Sequence, residues 1–184
     1  MRLRKPRITP LEETEFTTEL REILPPRSDG KPRLNIFTTL ARYPKLLKRW
    51  MVFAGHVLGK SKLSPRDREL LILRTGFLCR SEYEWAQHAV IGRACGLTDE
   101  ELRRITIGPE APEWDPFDAM LLRAADELHD DYMITDGTWT GLSQRYDTEQ
   151  MMDVVFTVGE YTLVSMALNA FGVQLEEGVE GFPP

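Results

Sequence analysis

Three polar residues in the stretch CRSEYEWAQHAVIGRAC, residues 79–95, fall at i, i+3 and i+7: Ser81, Glu84 and His88. On an α-helix that spacing places all three on one face. Glu84 and His88 are four apart, within reach for a carboxylate to orient an imidazole or share its proton. Histidine titrates near neutral pH, so this pair on a partly apolar wall suits general acid–base chemistry. Tyr83, Trp85 and Ala89 flank the polar row with apolar surface. The same residues carry a structural reading. Ser81-x-x-Glu84 has the form of a capping box, which satisfies the free N–H groups of a new helix. Ser81 is expected to act chiefly as that cap, whereas Glu84 at N3 can cap and still face a pocket.

The other chemistry-bearing residues are scattered. His56, His88 and His129 fall on three separate helical segments with no HxxxH or similar spacing, so no metal site is expected. The two cysteines, Cys79 and Cys95, make no disulfide framework, and a reducing, cytoplasmic setting is the expectation. Flanking one helix, they would stand roughly 24 Å apart at 1.5 Å per residue, too far to pair. Cys79 is a candidate thiol if a helix N-terminus lowers its pKa.

These residues need helices to position them, and the helix starts are well marked. Ser64-Pro65 with Asp67, Thr98 with Glu101, Asp115-Pro116, and Asp147 with Gln150 all read as N-terminal caps. Residues 11–24 carry Leu11, Phe16, Leu20, Ile23 and Leu24 near helical spacing, which suggests one short amphipathic helix before Pro25-Pro26. Leu34 to Leu40 is an apolar cluster, and Pro44 opens a helix with a broad apolar stripe that ends at Gly59. The loop 108–116 holds Trp114, whose ring must be buried somewhere. A short helix is expected in 138–146. From Met151 to Leu175 the chain is apolar on nearly every side, apart from residues such as Glu160, Tyr161, Ser165 and Asn169. Such a helix belongs in a core or an oligomer interface, and its polar groups need partners or a cavity.

The chain has 184 residues, enough for one domain, with 42% hydrophobic and 28% charged residues. A net charge of −6 argues against general nucleic-acid binding. The basic start, residues 1–10, lacks an apolar stretch of the secretory kind and reads as an exposed arm, ordered only if a neighbouring subunit holds it. No apolar run is expected to reach membrane-spanning length. The expectation is an all-α single domain over 1–184, a helical bundle of about seven to eight helices, with its core in 34–175 and a site-bearing hairpin in 63–102.

With Glu69, Ser81, Glu84 and His88 taken together, the chain resembles the carboxymuconolactone decarboxylase superfamily, which includes the alkyl hydroperoxidase D-like proteins. The resemblance spans about Asn35 to Leu175 and is strongest in LSPRDRELLILRTGFLCRSEYEWAQHAVIGRACGLTDEEL, residues 63–102. In hydroperoxidase members a glutamate, a CxxC pair and a histidine form a proton relay. Here the glutamate falls on Glu69 and the histidine on His88, while the cysteine positions hold Ser81 and Glu84. Without CxxC, the family's thiol chemistry does not transfer unchanged, and the chain looks closer to the decarboxylase branch. The resemblance implies the alkyl hydroperoxidase D-like fold, homo-oligomers (dimer, trimer or hexamer) and no metal or organic cofactor, while charge and hydropathy lead to the expectation of no nucleic-acid and no membrane partner.

The expected function is cofactor-independent proton transfer, a decarboxylation or related lyase or isomerase step, on a small organic acid or lactone. His88, Glu84 and Glu69 would be catalytic, and Ser81, Tyr83, Trp85 and Cys79 would lie around the substrate. Two alternatives are a peroxidase-like redox protein using Cys79 and a non-enzymatic oligomeric binding protein.

Overall fold

The computed structural model describes residues 3–28 and 30–183. Among them are nine α-helices and no strand: α1 (Thr18–Ile23), α2 (Asn35–Leu40), α3 (Pro44–Gly59), α4 (Pro65–Leu78), α5 (Glu82–Ala94), α6 (Asp99–Ile107), α7 (Pro116–Asp130), α8 (Asp136–Leu142) and α9 (Thr148–Phe171). The all-α bundle is as expected, and the additional helix is α2, six residues in the stretch read as an apolar cluster and too short for periodicity to separate from loop. Residues 11–24 do not form one helix. Glu13–Glu15 make a single 3₁₀ turn, and Thr17 then starts α1 afresh by accepting the Leu20 N–H at 3.2 Å. A threonine hydroxyl that caps a new helix competes with continuing the old one.

The marked starts are used. Ser64 accepts the Asp67 N–H at 3.1 Å with Pro65 in the first turn, and Thr98/Glu101 and Asp147/Gln150 close full capping boxes. The resulting helices pack around α4, which lies against α7, α5 and α9. Its middle is buried on every side: Leu70, Leu71, Ile72 and Leu73 are fully enclosed. Arg74 is also buried there, held by Asp126 at 2.6 and 2.9 Å and by the Ile105 carbonyl at 2.8 Å. The tight α4–α5 connection passes through Arg80 at φ +53°, a left-handed turn that lets the Ser81 N–H reach the Gly76 carbonyl at 2.8 Å.

α9 is the other central element. Val154, Val158, Val164 and Leu168 face the core, whereas Met152, Phe156, Leu163 and Met166 are exposed. Contrary to the reading that no apolar run reaches membrane-spanning length, α9 is long and apolar enough to cross a membrane, with a mean hydropathy of 1.4 over its best window, because the single acid Glu160 offsets little of the surrounding apolar character. It packs against α4, α7, α3 and α5 as a core helix of the bundle.

The arm differs from expectation. Met1 and Arg2 lie outside the described residues, as do Asp29 of the Ser28–Gly30 loop and Pro184. The rest of the arm is held by its own chain: Arg7 and Ile8 donate backbone N–H groups to the Phe171 carbonyl at 2.8 and 3.1 Å. The Arg7 guanidinium reaches the Ala170 carbonyl at 3.3 Å. A basic segment at a helix C-terminus satisfies free carbonyls and opposes the negative end of the helix dipole.

Candidate active site

The α4–α5 hairpin brings Glu69, Glu84 and His88 into one cluster. Glu69 follows the Ser64 cap by five residues and so lies one turn into α4, with its side chain fully enclosed. His88 sits in the middle of α5. Its Nδ1 lies 2.6 Å from Glu69 Oε2 and its Nε2 lies 3.0 Å from Glu84 Oε1. Both ring nitrogens are therefore engaged by carboxylates. Arg68 holds the far oxygen of Glu69, with Nη2 and Nε at 3.2 and 3.3 Å from Oε1. Tyr161 of α9 stands edge-on to the imidazole, with ring centroids 4.9 Å apart.

The electrostatics follow from this geometry. Burial alone would lower the His88 pKa, but the hydrogen bonds and charges of Glu69 and Glu84 outweigh it and raise it to about 9. The ring rests as an imidazolium at neutral pH, with Nδ1–H donated to Glu69 and Nε2–H to Glu84.

The cluster opens on a cavity of about 240 Å³ between α2, α3, α5 and α9. Glu84 and His88 are in its wall, with Tyr83 and Gln87 from α5, Trp50 from α3, and Glu160 and Tyr161 from α9. Glu160 is almost completely buried; its Oε1 accepts the Trp50 indole N–H at 2.6 Å, and its Oε2 is buried without a partner. Burial pushes the Glu160 carboxyl above its ordinary range; the bond from Trp50 opposes the shift and the nearby Glu84 charge adds to it. Glu176, beyond α9, ties down the rim. It accepts the Tyr83 hydroxyl at 2.6 Å, the Gln87 amide at 2.5 Å and the Asn35 backbone N–H at 2.8 Å.

The residues expected around the substrate divide. Tyr83 lines the cavity. Trp85 does not: it points into the core on the other side of α5, packed on Phe77 and Phe182 with centroids 6.0 and 5.6 Å away. Ser81 is the N-cap residue of α5 by position, but its side chain makes no capping bond and its Oγ is buried without a partner. The expected capping box does not close, because the Glu84 carboxylate is turned to His88. Cys79 is the last residue of the α4 turn, not the start of α5, so the helix dipole there does not favour a thiolate. Burial pushes its thiol pKa up, against the Thr162 and Ser165 hydroxyls. Its carbonyl accepts the Asn169 side-chain N–H at 2.9 Å, which accounts for one polar residue of α9.

Arg68, Trp50, Tyr161 and Glu160 were not singled out as site residues from sequence. Glu160 and Tyr161 carry a signal, as polar residues inside an apolar helix that need a partner or a cavity. Arg68 has the pattern of a surface arginine, and Trp50 lies in an apolar stripe. Among the described residues, no group of three or more histidine, cysteine or acidic side chains is arranged to hold a metal ion.

Comparison with known proteins fits this arrangement. Residues 44–127 match the carboxymuconolactone decarboxylase family, a segment that includes Glu69, Glu84 and His88. No curated protein matches the chain by sequence. Solved structures match it by fold. An uncharacterized peroxidase-related protein from Ralstonia eutropha JMP134, described as an alkylhydroperoxidase AhpD core, superposes with a TM-score of 0.82 at 16% identity, covering 94% of this chain and 93% of that one. An uncharacterized peroxidase-related protein from Silicibacter sp. TM1040 gives 0.71 at 16% identity, covering 95% and 91%. The debrominase Bmp8, in complex with 2,3,4-tribromopyrrole, gives 0.72 at 11% identity, covering 95% and 94%. At these identities the likeness is one of fold.

Proposed function

We propose that this chain, which matches the carboxymuconolactone decarboxylase family across residues 44–127 and has the AhpD-like all-α fold, is a cofactor-independent proton-transfer enzyme for a small organic acid or lactone. The observation that carries this reading is the buried Glu69–His88–Glu84 cluster at the wall of a largely apolar cavity.

In this reading His88 is the acid. Glu69, locked by Arg68, fixes the ring and holds its charge. Glu84 and His88 both face the cavity and are joined at 3.0 Å, so a proton can pass from Nε2 through the carboxylate to substrate carbon. In an isomerisation, Glu84 takes a proton from a carbon next to a carbonyl, and the C–H electron pair moves into an enolate. A proton then returns from the Glu84–His88 pair to the far carbon of the conjugated system. In a decarboxylation, the electron pair of the departing carbon dioxide forms the same enolate, and the pair supplies the proton. Low local polarity strengthens each of these interactions. The direct test is turnover in His88→Gln.

The redox alternative rests on Cys79, and the site gives it little support: the thiol is outside the cavity wall and its pKa is raised. Cys79→Ser is expected to leave activity on a lactone within about twofold, since a buried cysteine without thiolate character is inert. Loss of peroxide consumption in that variant, with a sulfenic acid or mixed disulfide in the wild type by mass spectrometry, would establish the redox reading instead. The exposed row Met152, Phe156, Leu163 and Met166 on α9 supports a homo-oligomer, because a second copy would cover it. Light scattering after gel filtration should give a mass above that of one chain, and Phe156→Asp should reduce it.

A further inference from the structure

Among the described residues, the cavity wall holds no lysine and no arginine. Its charged groups are Glu84, Glu160 and His88, and both nitrogens of His88 are already engaged by Glu69 and Glu84. The remaining donors are mostly engaged as well. The Trp50 N–H is taken by Glu160, and the Tyr83 hydroxyl and the Gln87 amide by Glu176. A carboxylate entering this space would lose water, meet two acidic side chains and find no free cation. In such surroundings an unpaired buried charge is strongly disfavoured. An uncharged molecule would meet mostly apolar surface.

We propose that Glu160 is a specificity-determining residue of this cavity: together with Glu84 it makes the wall electronegative, so that the site takes an uncharged, largely apolar carbonyl compound (an ester, lactone or ketone) and turns away the corresponding carboxylate. This rests on the acid–base reading above and narrows it to the lactone side, so isomerisation fits the cavity better than loss of carbon dioxide from an anion. The placement of Glu160 is what gives it this role. It sits opposite Glu84 on a different helix, is held by Trp50 through one oxygen, and has no cation beside it.

Calorimetric titration of the full chain with matched ligands tests the proposal. Phenylacetamide and methyl phenylacetate are the uncharged probes, and phenylacetate is the charged one. The uncharged probes are expected to bind at least about tenfold tighter at neutral pH. In Glu160→Gln, whose amide oxygen can still accept the Trp50 N–H, phenylacetate should gain several-fold while the uncharged probes stay within about twofold. Phenylacetate binding as well as its uncharged partners, or no binding of the uncharged probes up to their solubility, overturns the proposal. An unchanged preference in Glu160→Gln also overturns it, by assigning the exclusion to Glu84 alone. These outcomes are read by binding and are separate from the His88→Gln activity test. Charge preference can fail while His88 stays essential, and turnover without His88 can coexist with an intact preference.

Discussion

His88→Gln should lose about 10²- to 10⁴-fold in turnover, the usual worth of a positioned acid–base group. A convenient probe is α-angelica lactone in deuterated buffer, with NMR reading both isomerisation and deuterium uptake at carbon. The amide of glutamine can still donate to one neighbouring carboxylate, so the helical fold should persist by circular dichroism, with some loss of stability. Glu84→Gln provides a second variant with a different signature. It keeps a hydrogen-bond acceptor for Nε2 but removes one of the charges that raise the His88 pKa to about 9. Activity that requires the imidazolium falls as pH rises through that value. In Glu84→Gln this alkaline limb should therefore move to lower pH, in addition to a fall in rate. If His88→Gln exchanges deuterium as fast as the wild type, the cluster is structural and the acid–base reading fails.

The parts of this site that could be read from the sequence are those carried by one helix. Glu84 and His88 are four apart, and their facing follows from helix geometry alone. The caps at Ser64, Thr98, Asp115 and Asp147 were legible for the same reason, because each is a local exchange between a side chain and the next N–H groups. Glu69 was not legible in this way. It is nineteen residues from His88, on another helix, and its pattern is that of an ordinary acid between arginines. The family resemblance, not periodicity, pointed to it. Glu160 and Trp50 meet across 110 positions, which only tertiary packing decides. The Ser81 expectation failed for a related reason: the local rule offered Glu84 a capping bond, and a buried imidazolium on the same helix offered a stronger partner. Trp85 shows the limit of adjacency. It lies three residues before His88, yet its ring packs on Phe77 and Phe182 in the opposite wall of the helix.

The charge network should also be visible in stability. His88 is almost fully enclosed, and its folded pKa is about 9 against an ordinary value of 6.5. The folded pKa is the higher one, so the stabilisation is fully present below pH 6.5, declines between 6.5 and 9, and is gone above 9. The gap between that value and the ordinary one, at about 1.4 kcal/mol for each tenfold change in proton affinity, corresponds to about 3–4 kcal/mol. For a chain of this length that is roughly 6–16 °C in melting temperature. Other groups titrate over the same range, so the informative quantity is the difference between the wild type and His88→Gln. The wild type should be the more stable protein at pH 6, and the gap should close as pH approaches 9.5. In Glu69→Gln the decline should still begin near pH 6.5 but end at lower pH and be smaller, because the imidazolium has lost one of its two carboxylates and its folded pKa falls. A gap between wild type and His88→Gln that stays constant from pH 6 to pH 9.5 would mean that His88 is not held as a cation, and the proton it is proposed to deliver would have to come from elsewhere.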